Sequence, residues 1–93
     1  MIGSISGRAD FLSDFLGVDF MQADGFDEAI IGVAERAGQE PILAYDREAC
    51  IKVLMSRDGM SLDVAEEYFE FNVVGAYVGD LTPIFITVSH ESE

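Results

Sequence analysis

Apolar residues fall along this chain in short runs separated by Gly and Asp, and the spacing within each run predicts an element. Phe11, Leu12, Phe15 and Leu16 recur at i, i+1, i+4 and i+5, which places them on one side of a short helix over 8–16. Asp10 favours its N-terminus and Gly17 ends it. Residues 17–27 mix Gly and Asp with Phe20, Met21 and Phe26 and read as a connector. Ala29-Ile30-Ile31-Gly32-Val33-Ala34 and Pro41-Ile42-Leu43-Ala44-Tyr45 are two runs of β-formers joined by a turn at Ala37-Gly38-Gln39-Glu40, which predicts a β-hairpin. Pro41 fits the first position of an edge strand. A helix from Phe26 to Arg36 is the competing reading, because Phe26, Ile30, Val33 and Ala37 also match helical spacing.

Asp46 is placed to cap a helix over 47–57, with Ala49, Cys50, Val53 and Leu54 as its apolar stripe and Asp58-Gly59 as its stop. Ser61 caps a second helix, from Leu62 to about Tyr77. The last run, Pro83-Ile84-Phe85-Ile86-Thr87-Val88, alternates as a strand does, with Ile84, Ile86 and Val88 on one face. The predicted class is α+β: a short antiparallel β-sheet of about three strands with helices packed on one face, in the order α-β-β-α-α-β. The predicted organisation is an N-terminal arm with its short helix over 1–26, a single core domain over 27–88 and an acidic tail over 89–93.

Projected at about 100° per residue, the helix after Ser61 carries Leu62, Ala65, Phe69, Val73 and Ala76 on one face. Val64, Tyr68 and Phe71 widen that face into a broad arc, which predicts packing on two sides. The remaining sector holds Asp63, Glu66, Glu67 and Glu70, a compact acidic stripe. Asp63–Glu67 and Glu66–Glu70 are like-charge i,i+4 pairs, each costing roughly 0.2–0.5 kcal/mol. No Lys or Arg within the helix relieves them, although Arg47, Lys52 or Arg57 of the preceding helix can reach across.

Charge makes that stripe part of a larger imbalance. The 93 residues hold 18 acidic and 5 basic side chains, for a net charge of -13. Three of the basic residues, Arg47, Lys52 and Arg57, lie in one helix, and residues 58–93 have none. Such a chain is repelled by nucleic acid, whose binding draws on Lys and Arg at the phosphates, and by an anionic membrane. A basic protein surface attracts it. The competing account is that acidity only keeps a chain of 49% hydrophobic residues in solution. One domain fits this length. No signal peptide or membrane-spanning run is evident, so the expected location is cytoplasmic.

Little in the sequence supports catalysis. One Cys and one His, Cys50 and His90, exclude a zinc site within the chain and an internal disulfide. Cys50 lies on an apolar helix face and reads as a core residue. Asp58-Gly59-Met60-Ser61-Leu62-Asp63 lacks the D-x-D-x-D-G pattern of a calcium loop and is explained by a helix stop followed by a helix cap. There is no phosphate loop. The expectation is a binding protein without cofactor, metal or catalytic residues, whose partner-binding residues are Asp63, Glu66, Glu67 and Glu70. The alternative is a self-associating accessory or structural module, with Phe85 or Tyr77 exposed as an oligomer patch.

Glu40-Pro41-Ile42-Leu43-Ala44-Tyr45-Asp46, Ile51-Lys52-Val53-Leu54-Met55, Arg57-Asp58-Gly59-Met60-Ser61, Glu66-Glu67-Tyr68-Phe69-Glu70-Phe71-Asn72, Gly75-Ala76-Tyr77-Val78-Gly79 and Thr82-Pro83-Ile84-Phe85 carry a resemblance. Over about residues 27–86 the chain resembles a family of small, uncharacterised phage and prophage proteins. The resemblance implies a phage or mobile-element setting and no reaction. In that setting a small acidic protein suggests an inhibitor of a host nucleic-acid-binding protein, of the anti-CRISPR or DNA-mimic kind.

Overall fold

Asp46 marks the hinge of the chain, where the central strand turns directly into a helix. Its Oδ1 accepts the backbone N–H groups of Glu48 (3.0 Å) and Ala49 (3.4 Å), which would otherwise be orphaned in the first helical turn. The computed structural model describes residues 11–76 and 79–88. In chain order these form helix α1 (11–16), a 3-10 turn (Asp27–Ala29), strands β1 (Ile30–Ala34) and β2 (Ile42–Asp46), helices α2 (Arg47–Asp58) and α3 (Leu62–Phe69), a π-helical turn (Glu70–Val74) and strand β3 (Ile84–Ile86). The class and the order of elements are those the hydrophobic pattern predicts.

The sheet is mixed rather than wholly antiparallel. Its order is β1-β2-β3; β1 pairs antiparallel with β2, but β3 runs parallel to it, Ala44 opposite Ile84 and Asp46 opposite Ile86. A parallel neighbour needs a long crossover, and the two helices between β2 and β3 supply it. Pro41 therefore introduces the central strand and not an edge. It lies one residue outside β2, where its missing N–H costs no ladder bond. Central position also explains why Ile42, Leu43, Ala44 and Tyr45 are all buried, a continuous apolar run instead of an alternation.

The competing helical spacing has a structural origin. Ile30 pairs with Tyr45 but Gly32 pairs with Ala44, so Ile31 is the extra residue of a β-bulge. The bulge brings Ile30 and Val33, three apart, onto the same core-facing side. An i,i+3 repeat in the sequence is here a bulged strand.

The core lies between this face of the sheet and the helices. Ile30, Leu43 and Tyr45 meet Cys50, Ile51, Val53 and Leu54 of α2 and Ala65 and Phe69 of α3. Phe69 sits at its centre, edge-on to Phe26 (6.4 Å) and Phe85 (5.1 Å). Helix α2 ends at Gly59, whose positive φ (72°) lets its N–H reach the Leu54 carbonyl. The connector is part of the core: Phe20 and Phe26 are buried, and the Ala23 N–H donates to the Tyr45 hydroxyl at 2.9 Å. Arg57 straps it down, donating to the Gly25 carbonyl (2.8 Å) with its guanidinium over the Phe26 ring. Of the predicted apolar side of α1, only Leu12 packs on the core, while Phe11 and Phe15 stack on each other in solvent.

Candidate functional site

Helix α3 buries far less of itself than its apolar arc predicts. Ser61 caps it, accepting the Val64 N–H at 3.4 Å. From there Ala65, Phe69 and the half-buried Val73, spaced by four, form a narrow seam against the core. Leu62 and Ala76, expected in that seam, are exposed. So are Val64 (51%), Tyr68 (42%) and Phe71 (75%). The wide arc is two stripes, one packed and one bare. Among the described residues α2 packs against the buried side of α3.

Past Phe69 the helix loosens. The Gly75 N–H reaches the Glu70 carbonyl five residues back, at 3.1 Å, so Glu70–Val74 form a single π turn. The predicted α-helix to Tyr77 thus stops being α-helical after Phe69, and Tyr77 itself lies outside the described residues. A β-carbon on Gly75 would stand 2.8 Å from the Phe71 carbonyl oxygen, so the wide turn requires glycine there. Asn72 in this turn donates its Nδ2 to the Tyr68 carbonyl (3.3 Å).

All four stripe acids are exposed. They do not act as one set. Glu70 pairs with Arg47, whose guanidinium also lies over the Phe69 ring, 5.3 Å from its centroid. Glu66 borders a shallow cleft together with Arg47, Leu62 and Thr87. Asp63 and Glu67 stand one turn apart, and Glu67 neighbours Val64 at i,i+3 and Phe71 at i,i+4 spacing. Among the described residues Asp63, Glu66 and Glu67 make no ion pair. The stripe that sequence spacing nominates is thus three open carboxylates and one neutralised one.

Beside the bare apolar stripe lies a cleft of about 240 Å³, between the connector and the π turn. Met21, Phe26, Val73, Pro83 and Phe85 supply its apolar walls, and Asp24 and Asn72 stand among the residues that line it. Asn72 joins the cleft to the Tyr68–Phe71 stripe. Sequence spacing had grouped Val64, Tyr68 and Phe71 with the packed residues. Ala65 and Phe69 are buried and Val73 of the π turn packs half-buried against the core, while the other apolar positions are exposed.

The residues considered for chemistry lie elsewhere. Cys50 is fully buried, and burial, with Asp46 nearby, pushes its thiol up to about 12. A thiol so held stays protonated and unreactive at neutral pH. His90 is outside the described residues. Among the described residues no three His, Cys, Asp or Glu side chains converge as metal ligands would. Phe85, considered as an oligomer patch, is half-buried against Tyr45 (5.5 Å) and Phe69. Strand β3 instead shows Ile84 and Ile86 to solvent. Among the described residues no helix is long and apolar enough to cross a membrane. In comparisons with known proteins, no family model, no curated protein and no solved structure matches the chain.

Proposed function

We propose that this chain is a small acidic binding protein whose α3 carboxylates occupy a basic surface on another protein. The observation that carries it is the group Asp63, Glu66 and Glu67, all exposed and in no ion pair among the described residues. Carboxylates spaced one helical turn apart stand roughly 5–6 Å from each other, comparable with phosphates along a nucleic acid strand. A groove that holds a phosphate backbone with Arg and Lys accepts either. In the phage or prophage setting that residues 27–86 resemble, the protein acts as an inhibitor of a host nucleic-acid-binding protein, excluding nucleic acid by occupying its site. Net charge of -13 accelerates the encounter with such a surface.

The test is retention of host-lysate proteins on the immobilised chain, read at low and moderate salt and with duplex DNA as competitor. Wild type is expected to hold basic nucleic-acid-binding proteins, to lose them as salt rises, and to lose them to DNA. The triple variant Asp63→Lys, Glu66→Lys, Glu67→Lys loses them at every salt. A control with the same charge change on other exposed acids, Asp14→Lys, Glu35→Lys, Glu40→Lys, keeps most of them. Retention that survives the α3 reversal would overturn the proposal.

A further inference from the structure

We infer that the α3 face receives a basic amphipathic helix from its protein partner, with apolar side chains on Val64, Tyr68 and Phe71, one of them anchored in the adjoining cleft, and Lys or Arg over Asp63 and Glu67. This rests on the proposal that the α3 carboxylates meet a basic surface, and it names what that surface is made of. Pure phosphate mimicry needs carboxylates alone. This face adds two exposed aromatics and a valine along the same two turns. Aromatic centres with charged rims are the anatomy of protein–protein contacts.

Dimensions agree with a helix. Phe71 stands seven positions after Val64, the last two of them in the π turn. The separation is on the order of 10 Å at about 1.5 Å per residue, which matches two turns of a partner reading i, i+3, i+4 and i+7. The cleft of about 240 Å³ exceeds the roughly 150 Å³ that holds a benzene ring in an apolar cavity, so one Leu or Phe side chain fits. Asp24, among the residues lining the cleft, keeps it acidic too.

Charge decides among occupants. A second copy would bring Asp63 and Glu67 of both chains together, each chain at -13. An anionic lipid surface meets the same repulsion. A helix with apolar residues on one side and Lys or Arg flanking them satisfies both stripes at once, and desolvates neither without compensation.

The probe is a synthetic peptide of about 18 residues, long enough for five helical turns, built of Leu and Lys in helical period. A scrambled peptide of identical composition is its control. Binding to the full chain is measured by calorimetry at moderate salt. The patterned peptide is expected to bind at least about ten-fold more tightly than the scrambled one, a difference of about 1.4 kcal/mol. Val64→Ser, Tyr68→Ser, Phe71→Ser together erase that preference while circular dichroism stays native, and Phe71→Ser alone lowers it. Equal binding of the two peptides, or a preference that survives the serine substitutions, overturns the inference. The underlying charge reading fails separately: Asp63→Lys, Glu66→Lys, Glu67→Lys would then weaken both peptides no more than Asp14→Lys, Glu35→Lys, Glu40→Lys. Light scattering supplies the last arm. A dimer of the wild-type chain that Phe71→Ser dissolves would give the face to a second copy and overturn the inference.

Discussion

Tyr45 carries its hydroxyl into the core, where the Ala23 N–H donates to it at 2.9 Å. Burial raises its pKa from 10.0 to about 12, and Cys50 beside it rises from 9.0 to about 12 for the same reason. Both groups hold their protons to higher pH in the folded chain than in the unfolded one. Their contribution to stability is therefore complete below pH 9.0 and is lost as pH rises toward about 12. Urea midpoints measured upward from neutral pH should fall through this window. Tyr45→Phe should flatten the fall above pH 10.0. At neutral pH it should cost about 0.5–1.5 kcal/mol, because the partly buried Ala23 N–H loses its acceptor. Midpoints constant up to pH 12 would contradict the assignment. That Tyr45 belongs to a strand is legible in its run of β-formers. That its hydroxyl ties down a residue 22 positions earlier is not, because nothing local to Ala23 signals it.

Helix α2 is the element most completely written in local sequence. Its cap, stop and apolar stripe are the ones spacing predicts, because cap and stop act within four residues. Ile51, outside the predicted stripe, is also buried, since β2 leads straight into α2 and the helix is enclosed on more than one side. Asp46→Ala should destabilise the protein by about 1 kcal/mol, within a range of roughly 0.5–2, read as a lowered urea midpoint, while Asp46→Asn restores most of it. Helix α3 shows the opposite case. Its periodicity is correct, but periodicity groups residues by direction and not by what lies in that direction. Val64, Tyr68 and Phe71 are left exposed, although Arg57 of α2 lies within electrostatic reach of Tyr68. The π turn escapes the pattern too, for a single wider turn leaves the apolar spacing of Phe69 and Val73 intact.

Across the whole molecule, self-repulsion opposes folding. With a net charge of -13 and ion pairs at Arg47–Glu70 and Arg57–Asp58 among the described residues, carboxylates repel more than they are paired. Added salt screens this repulsion, with a Debye length of about 10 Å at 0.1 M. The melting temperature should therefore rise by several degrees between low salt and about 0.5 M NaCl. A chain stabilised mainly by its surface ion pairs would show the reverse. In the α3 reversal variant Glu66→Lys turns its repulsion of Glu70 into attraction. Asp63→Lys together with Glu67→Lys, however, keeps a like-charge pair at i,i+4 and removes the anion from the first helical turn. Its melting temperature should therefore stay within a few degrees of wild type, about what opposing terms of a few tenths of a kcal/mol allow.

Taken alone, the sequence determined the class, the order of elements, the helix caps and the position of an acidic stripe. Each of these depends on interactions within a turn or two of the chain. Tertiary structure decided the rest. Strand order made β2 central and β3 parallel, since pairing partners are chosen by where a crossover returns. The bulge at Ile31 turned a helical repeat into one strand face. Packing on one side of α3 alone divided its apolar arc into a buried seam and a bare stripe. Arg47, distant in sequence, withdrew Glu70 from the acids. What remains on that face, Asp63 and Glu67 beside Val64, Tyr68 and Phe71, is a surface that local spacing places but only neighbours in space leave uncovered.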